Sequence, residues 1–300
     1  MYLKKTALAA PYKEDDFLLA GRVFSVEEFS TYDGPGIRMT FFLKGCPMRC
    51  MWCHNPEGQG FEQELLRSPN GCTGCGACLN EGLRLTGRRC LVPGSVEVCP
   101  NRLVRACAVD YTSGEIIDMV RKNAAILNAS GGGVTFSGGE PLAQPNFLAE
   151  CLDRLEGTTN RAIQTSGFCR PEVFGEILER CDYVLYDLKL MDPSAHTHYT
   201  GCSNDLILRN YRVLAASGVP FCTRMPLIPG VNDTAENIDA TARFMCENGA
   251  KEIELLPYNR MAGAKYKLAG REYKPEFDGD RRPEPHMDIF EEYGIGVKIL

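Results

Sequence analysis

From Gly21 onward, short continuous hydrophobic runs alternate with longer stretches in which hydrophobic residues recur at helical spacing. The runs predict strands and the longer stretches predict helices. Six short runs rich in β-branched and aromatic residues predict strands, at residues 37–44, 134–137, 162–165, 183–189, 220–227 and 252–257. Amphipathic stretches with helical spacing separate most of these runs, at residues 114–127, 146–155, 172–179, 206–216 and 234–247. A last helix near residues 287–293 and a strand at 296–300 are expected at one edge.

Glycine- and proline-containing motifs follow the carboxyl ends of the six predicted strands. In chain order they read KGC, SGGEP, QTSG, DLK, IPG and PYN. Each alone is compatible with an ordinary turn, because glycine and proline punctuate α/β loops. Strands that alternate with helices favour a parallel sheet, and barrels of this kind place their chemistry at this end of the strands. We therefore predict an α/β fold, a partial (β/α)6 barrel, with one shared pocket.

The alternation stops between Cys53 and about Tyr111. This segment is rich in glycine and cysteine and holds almost no aromatic residues. We interpret residues 54–110 as an insertion between the first strand and its helix. The predicted barrel then comprises residues 21–53 and 111–300, and residues 1–20 are an N-terminal extension.

Composition and charge argue against a nucleic-acid-binding, membrane-spanning or secreted protein. The chain has 300 residues, a formal net charge of −6 and no basic run longer than two residues, so nothing indicates a nucleic-acid groove. No apolar run approaches the ~20 residues of a membrane span, and the N-terminus lacks the hydrophobic segment of a secretory signal. Fifteen cysteines without an export signal indicate a reducing cytoplasm, where thiols serve metals or redox chemistry. We expect a monomer.

The segment KGCPMRCMWCHNP contains Cys46, Cys50 and Cys53 in Cx3Cx2C spacing. A [4Fe–4S] cluster normally takes four thiolates, so three thiolates leave one iron open to a small molecule, much as a catalytic zinc site keeps an open position. A structural zinc site is the alternative, but zinc ribbons favour paired Cx2C knuckles. The spacing therefore predicts an open cluster that performs redox chemistry.

The predicted insertion contains a second group of regularly spaced cysteines. Cys72, Cys75 and Cys78 have Cx2Cx2C spacing, which matches the first three positions of a bacterial ferredoxin run. In such a run a fourth cysteine follows three residues later, before a proline, and ligates the other cluster of the pair. Here that position is Gly82, followed by Leu83.

Cys99 precedes Pro100 and resembles the end of a second run that begins at Cys90. The middle cysteines of that run are replaced, at Pro93 or Gly94 and at Val96. Crossed ligation then leaves one complete set of thiolates, namely Cys72, Cys75, Cys78 and Cys99. We predict one auxiliary cluster and the relic of a second, with Cys107 as the alternative fourth ligand and a zinc knuckle as the alternative metal site.

Longer motifs match a known family in order. They read TYDGPGIRMTFFLKGCPMRCMWCHNPEG, GGGVTFSGGEPLAQ, YDLKLMD, RMPLIPGVND and ELLPYN. Together they resemble the radical S-adenosylmethionine activating enzymes of glycyl radical enzymes, of which pyruvate formate-lyase activating enzyme is the best-known relative. Relatives with ferredoxin-like insertions are nearer in layout. The resemblance covers roughly residues 21–300, and the combined motifs are specific.

The resemblance implies roles for the matching positions. Cys46, Cys50 and Cys53 would hold the catalytic cluster, and Glu140 would meet the methionine amino group of S-adenosylmethionine. The other implied cofactor contacts are Trp52, Cys53, His54, Ser137, Gly138, Gly139, Asp187, Leu188, Lys189, Arg224 and Asn259. A loop that contains Asp33, Gly34, Pro35, Gly36 and Arg38 would lie near the point where the partner's glycine enters.

Two positions depart from the formate-lyase relatives. Those relatives often read LPYH, whereas this chain has Asn259 in place of the histidine, so an amide would replace an imidazole contact. They also carry an Asp before TNG that is implicated in cation binding, whereas this chain has Gln164 before Thr165 and Ser166, so we do not expect that cation site. His196 and His198 lie on a polar stretch and are predicted to be solvated.

The resemblance implies an oxidoreductase that cleaves S-adenosylmethionine reductively at a [4Fe–4S] cluster and abstracts a hydrogen from a glycine of a partner glycyl radical enzyme. The expected cofactors are two [4Fe–4S] clusters and S-adenosylmethionine, and the expected electron donor is a flavodoxin or ferredoxin. No catalytic side chain beyond the cluster and the cofactor is expected. One alternative is a radical enzyme that acts on a small molecule. Another is a non-catalytic electron carrier, against which SGGEP and DLK argue because a carrier needs no cofactor site.

Overall fold

A computed structural model describes residues 18–300, so most of the predicted N-terminal extension lies outside the described residues. The strands are β1 Ala20–Ser30, β2 Arg38–Leu43, β3 Leu65–Arg67, β4 Val104–Ala106, β5 Val109–Thr112, β6 Gly133–Gly138, β7 Asn160–Thr165, β8 Tyr183–Asp187, β9 Phe221–Leu227, β10 Glu252–Pro257 and β11 Gly296–Ile299. The helices are α1 Ala77–Thr86, α2 Ser95–Val98, α3 Ser113–Ala129, α4 Pro145–Arg154, α5 Pro171–Leu178, α6 Pro193–Thr200, α7 Asp205–Ser217, α8 Ala235–Glu247, α9 Ala262–Leu268 and α10 Met287–Glu292. In this part of the chain no helix combines the length and the apolar character needed to cross a membrane.

The main sheet has nine strands in the order β11-β10-β9-β8-β7-β6-β2-β1-β5. From β2 to β11 the neighbours in this order pair in parallel, whereas β1 pairs antiparallel with both β2 and β5. The terminal strands β5 and β11 lie at opposite ends of the order, so the sheet is open. The predicted α/β fold with a partial barrel is confirmed.

The parallel strands are buried on both faces, which explains why they appear in the sequence as continuous apolar runs. Met39, Phe41, Val134 and Phe136 are at most 1% exposed. Phe41 and Phe136 are register partners, and their rings stack with centroids 5.7 Å apart. Burial of each such side chain stabilises the fold by roughly 1.5–3 kcal/mol.

Helix α6 was not predicted, because its sequence PSAHTHYT has no apolar face. Local signals form it instead, since the Asp192 side chain accepts a hydrogen bond from the Ala195 N–H (2.7 Å) and Gly201 ends the helix in the left-handed conformation. The prediction that His196 is solvated is wrong. Its side chain packs inward, the residue is 1% exposed, and Nδ1 lies 2.7 Å from the Cys202 carbonyl oxygen.

The cysteine-rich segment forms a small unit beside the barrel. Strands β3 and β4 pair antiparallel, and α1 packs on α2 between them in sequence. The main sheet resumes with β5 at Val109, two residues before the predicted return of the barrel at Tyr111. The insertion therefore leaves the barrel after β2 and returns at β5, with the β3–β4 pair as its base.

Candidate active site

The loop after β2 carries Cys46, Cys50 and Cys53, and backbone hydrogen bonds hold it to two neighbouring segments. The Cys46 N–H donates to the Gln59 carbonyl oxygen (3.2 Å), and the Arg49 N–H donates to the Thr200 carbonyl oxygen at the end of α6 (2.7 Å). Within the loop, the Cys53 N–H donates to the Cys50 carbonyl oxygen (3.1 Å). The unpredicted helix α6 is thus part of the wall that shapes the cysteine loop.

The three cysteines are half-buried, and their thiols lie within range of one another's charges. Burial, followed by the charge of Glu140, raises the pKa of the Cys46 thiol to about 12. Burial likewise raises the pKa of Cys50 and of Cys53, and the charges of the three thiols act on one another. Thiolates in such surroundings need cationic partners, and iron ions supply that charge. The donor set therefore fits a cluster held by three thiolates.

The SGGEP turn after β6 is joined directly to the cysteine loop. The Glu140 N–H donates to the Gly45 carbonyl oxygen (2.9 Å), and the Gly139 N–H donates to the Leu43 carbonyl oxygen (2.8 Å). A Cβ at Gly139 would lie 2.5 Å from the Gly45 carbonyl oxygen, so any other residue would push the two segments apart. The glycine is required by this close approach.

The Glu140 carboxylate is 2% exposed and accepts hydrogen bonds from the next turn of the barrel. Its donors are the Ser166 N–H (2.9 Å), the Ser166 hydroxyl (2.6 Å) and the Thr165 hydroxyl. Burial raises the pKa of Glu140, and these hydrogen bonds oppose that shift. Glu140 therefore joins the turns after β6 and β7, in addition to any contact with a bound cofactor.

Asp187 and Lys189 of the DLK motif follow β8, and Lys189 Nζ lies 3.5 Å from Asp187 Oδ2. Burial by itself lowers the pKa of Lys189, but the charges of Asp187, Cys50 and Cys46 outweigh it, so the pKa is raised. The ammonium group therefore lies among the cysteine thiols and stays charged. Between the two residues, the Leu188 side chain is buried in the core.

Arg224 on β9 connects to the loop that contains the DGPG motif. Its guanidinium donates to Glu254 Oε2 (Nε, 2.8 Å) and to the Tyr32 carbonyl oxygen, and the residue is 2% exposed. One of its donor groups, Nη2, thus holds the segment immediately before Asp33, while Nε binds Glu254 on β10.

The loop of Gly34, Pro35 and Gly36 is anchored from below by Arg38, which is fully buried. Arg38 donates to Thr135 Oγ1 (3.0 Å) and Asn160 Oδ1 (2.8 Å) on β6 and β7. Asp33 accepts from the hydroxyls of Ser30 (2.6 Å) and Thr40 (2.9 Å). Arg38 therefore positions the loop and does not itself reach the surface.

Trp52, His54 and Asn259 lie beside a group of tyrosines. Trp52 is buried against Leu190, Ile228 and Val231, and the His54 ring meets Tyr258 edge-on at 5.9 Å. Burial lowers the pKa of His54, which favours the neutral imidazole. Asn259 is exposed, and its Oδ1 accepts from the Met261 N–H (2.9 Å).

Sequence reasoning missed Tyr266 and Tyr273. The hydroxyls of Tyr258 and Tyr273 are 2.9 Å apart, and the rings of Tyr266 and Tyr273 have centroids 4.6 Å apart. Burial, and then the nearby thiols Cys53 and Cys50, raise the pKa of Tyr266. These tyrosines therefore lie beside the cysteine loop. The sequence feature that could have indicated them is the presence of Tyr258, Tyr266 and Tyr273 in an otherwise polar C-terminal stretch.

In the insertion, a cavity of about 260 Å³ is lined by four cysteines together with Arg67 and Arg89. The four are Cys72, Cys75, Cys78 and Cys99. Cys99 Sγ accepts from the Leu103 N–H (3.3 Å), and backbone hydrogen bonds of this kind lower the pKa of the Cys99 thiol. Arg67 Nη1 lies 3.7 Å from Cys78 Sγ. The lowered pKa of Cys99 favours the thiolate form that a metal requires.

The two other cysteines near the insertion are not among the residues that line this cavity. Cys107 is buried at the base of the insertion, where its thiol donates a hydrogen bond to the Glu57 carbonyl oxygen (3.3 Å). Cys90 lies against α1, and a Cβ at Gly82 would be 2.0 Å from the Cys90 carbonyl oxygen. The position at which a ferredoxin run has its fourth cysteine therefore leaves no room for a side chain.

Within residues 18–300, no three His, Cys, Asp or Glu side chains converge closely enough to hold a single metal ion. A zinc ion would need its four sulfur atoms about 2.3 Å from one point. A cubane cluster binds each thiolate through a different iron, so its ligands stand farther apart.

Comparisons with known proteins agree with this geometry. The model of the radical SAM superfamily matches residues 40–245. The 4-hydroxyphenylacetate decarboxylase activating enzyme of Clostridioides difficile (strain CD196) is 38% identical, over 94% of this chain and 96% of that protein. The trans-4-hydroxy-L-proline dehydratase activating enzyme of Clostridioides difficile is 31% identical, over 92% and 98%. The isethionate sulfite-lyase activating enzyme of Desulfovibrio desulfuricans is 37% identical, over 84% and 87%.

Proposed function

The chain belongs to the radical SAM superfamily and, within it, to the activating enzymes of glycyl radical enzymes, and we propose that it installs a glycyl radical on a partner protein. S-adenosylmethionine is cleaved reductively, and a hydrogen is removed from a glycine Cα of the partner. A [4Fe–4S] cluster held by Cys46, Cys50 and Cys53 would supply the electron for that cleavage. The match to activating enzymes over most of the chain favours this function over chemistry on a small molecule.

One contact carries the assignment of the site. The Glu140 N–H to Gly45 carbonyl hydrogen bond (2.9 Å) joins the SGGEP turn to the Cx3Cx2C loop. A cofactor whose amino group lies near SGGEP is thereby held beside the thiols. This fixed juxtaposition supports binding and reductive cleavage of S-adenosylmethionine at one place, which a simple electron carrier would not need.

The chain's own side chains bind, orient and shield the cofactor. Lys189 keeps its positive charge beside the thiols and offsets their negative charge. Glu140 holds two turns at a fixed distance while its charge favours a bound amino group. Tyr258, Tyr266 and Tyr273 lie beside the cysteine loop and would limit the access of water to it.

The proposal includes one auxiliary [4Fe–4S] cluster in the insertion. Support comes from the cavity lined by Cys72, Cys75, Cys78 and Cys99 and from the N–H donor to Cys99. The relic of a second cluster would retain Cys90 alone, and the tight contact at Gly82 argues against that second cluster. We therefore propose two clusters per chain in total, with Cys99 rather than Cys107 as the fourth auxiliary ligand.

The remaining parts of the proposal concern the cellular setting. We propose a glycyl radical enzyme as the protein substrate and a flavodoxin or ferredoxin as the electron donor. Fifteen cysteines, all of them free thiols, support a reducing cytoplasm. A monomer is proposed because the partner must reach the open mouth of the barrel.

The test uses anaerobically reconstituted protein with S-adenosylmethionine, dithionite and the glycyl radical enzyme encoded beside its gene. We expect 5′-deoxyadenosine to form and an amino-acid-centred radical signal to appear on the partner. A partner variant with the glycine replaced by alanine is the control, and it should give no such signal. Production of 5′-deoxyadenosine with a small-molecule product, and without a radical on any partner, would overturn the assignment.

A further inference from the structure

The insertion carries charge opposite to that of the rest of the chain. Residues 65–106 contain six arginines, no lysine and two glutamates, a formal net charge of +4. The whole chain has 33 basic and 39 acidic residues, which leaves 27 and 37, or −10, outside this segment. An oxidised cubane with four thiolates adds about −2, so the loaded segment stays positive on a strongly acidic protein.

The cysteine cavity opens to the surface within this basic segment. Cys72 and Cys75 are exposed, and Arg67 and Arg89 line the cavity with them. Arg88 precedes Arg89, and Arg102 lies between two further lining residues, Asn101 and Leu103. A redox group bound here would lie close to solvent, with several guanidinium groups near it.

Most of these guanidinium groups are not neutralised within the described part of the protein. Arg88, Arg89 and Arg102 are exposed and form no ion pair with any residue of 18–300, whereas Arg84 pairs with Glu81 (2.6 Å). The surface between them is partly apolar. Leu83, Leu85, Val96 and Val98 on α1 and α2 are 38–54% exposed. Basic rims around small apolar patches suit weak, electrostatically steered encounters.

We propose that this insertion is the docking surface for a small acidic electron-transfer protein that delivers electrons through the auxiliary cluster. In each encounter the reduced carrier loses one electron and the auxiliary cluster gains it, so the carrier leaves oxidised by one electron. Charge complementarity selects this occupant, because an acidic carrier is repelled by the net −10 of the remaining chain and attracted by the net +4 of this segment. The inference rests on the proposed function, since the auxiliary cluster is part of it.

The test compares two variants with equal loss of charge. Arg88→Glu with Arg102→Asn lowers the net charge of the docking surface by three, and asparagine suits the left-handed backbone at Arg102 (φ 51°). Arg121→Glu with Arg209→Gln lowers the net charge at exposed positions on α3 and α7 by the same three units and is the matched control. Binding of oxidised flavodoxin, an acidic carrier, to each loaded holoenzyme is measured by isothermal titration at low and at high salt.

We expect the docking-surface variant to bind flavodoxin at least roughly tenfold more weakly at low salt and to lose most of the salt dependence. The control variant should bind like the wild type. Iron content and dithionite-driven formation of 5′-deoxyadenosine should be unchanged in both variants. If the wild type fails to form 5′-deoxyadenosine, the result contradicts the proposed function and not the docking surface. Equal flavodoxin affinity in both variants would overturn the docking surface. So would loss of glycyl radical formation after dithionite reduction, which would assign the surface to the protein substrate.

Discussion

At the scale of single residues, the candidate active site depends on buried polar side chains that connect neighbouring turns. Glu140 joins the turns after β6 and β7, Arg38 anchors the DGPG loop, and Arg224 holds the segment before Asp33. Each is at most 2% exposed. Loss of one partner in such a network leaves the other groups buried without a hydrogen bond, which costs more than the bond itself contributes.

Replacement of Glu140 by glutamine should weaken binding of S-adenosylmethionine by roughly 10- to 100-fold, the scale of a lost charge-assisted hydrogen bond. The amide also turns an N–H group toward Ser166, which already donates, so the turn itself is disturbed. Iron content should stay the same, because Glu140 is not a cluster ligand. The measurement is equilibrium binding by titration calorimetry.

Glu172→Gln is the matched control, because Glu172 is exposed in the first turn of α5. Its affinity for S-adenosylmethionine should equal that of the wild type. Unaltered affinity in Glu140→Gln would mean that the amino group is held elsewhere.

At the scale of elements, the insertion is a short unit whose few contacts decide which thiols can meet. The antiparallel pair β3–β4 is its base, and the segment after α2 returns Cys99 to the cavity that Cys72, Cys75 and Cys78 line. Cys107 comes just after β4 and lies at the base, beside Glu57. The arrangement follows from chain direction, since residues before and after β4 lie at opposite ends of that strand.

Substitution of Cys99 by alanine should therefore remove or destabilise the auxiliary cluster, because it takes away one of four thiolates. Cys90→Ala and Cys107→Ala should both retain the iron, and they serve as matched controls. Iron analysis and absorbance spectra after anaerobic reconstitution provide the measurement. If Cys107→Ala loses the auxiliary iron while Cys99→Ala keeps it, the ligand assignment is wrong.

Glu64 connects three elements at the base of the insertion. It lies just before β3 and accepts from the Lys44 ammonium (2.8 Å), whose side chain is fully buried, and from Arg271 of the C-terminal stretch. Glu64→Gln should lower the free energy of unfolding by about 1 kcal/mol, a modest value because a third of the Glu64 side chain is exposed and solvent screens the charge.

The pH dependence of this effect follows from the pKa of Glu64. Burial raises it, but the hydrogen bonds from Lys44 and Arg271 outweigh burial, so the pKa is lowered from 4.5. A carboxylate with a depressed pKa stabilises the fold above its unfolded pKa, and that stabilisation is lost as the pH falls through the folded pKa. Urea denaturation should show a constant difference between variant and wild type from pH 7 to about 5. A difference that vanishes within that range would contradict the assignment.

At the scale of the whole molecule, an acidic open barrel carries a basic, cysteine-rich insertion on a narrow base. The barrel binds the cofactor and presents the DGPG loop, while the insertion lies between β2 and β5 at one end of the sheet. The cysteine loop after β2 is continuous in sequence with the insertion. Electron entry and radical chemistry are thus assigned to adjacent parts of one chain.

Two clusters per chain should give about eight irons after anaerobic reconstitution, by the stoichiometry of four-iron clusters. Simultaneous replacement of Cys46, Cys50 and Cys53 by alanine should leave about half of that iron and abolish 5′-deoxyadenosine formation. The measurement is iron and zinc analysis of both proteins. A wild-type protein that contains about four irons per chain together with bound zinc would rule out the auxiliary cluster.

The sequence by itself determined the fold class, and it predicted the position of the insertion and the residues of the site. Buried parallel strands leave continuous apolar runs, and the spacing of Cys46, Cys50 and Cys53 is a local property of one loop, so both could be predicted without tertiary contacts. Elements without a strong period, such as α6 and α9, could not, because capping and packing stabilise them rather than an apolar face.

Only the tertiary structure decided which groups meet across long separations in the chain. Glu140 bonds to Ser166, Arg224 reaches the Tyr32 carbonyl, and Tyr266 approaches the thiols of Cys50 and Cys53. No spacing rule predicts these contacts, because they depend on how far each loop extends above the sheet. The inward orientation of His196 has the same cause, since its burial depends on contacts such as that with the Cys202 carbonyl oxygen, while half of the α6 residues stay exposed.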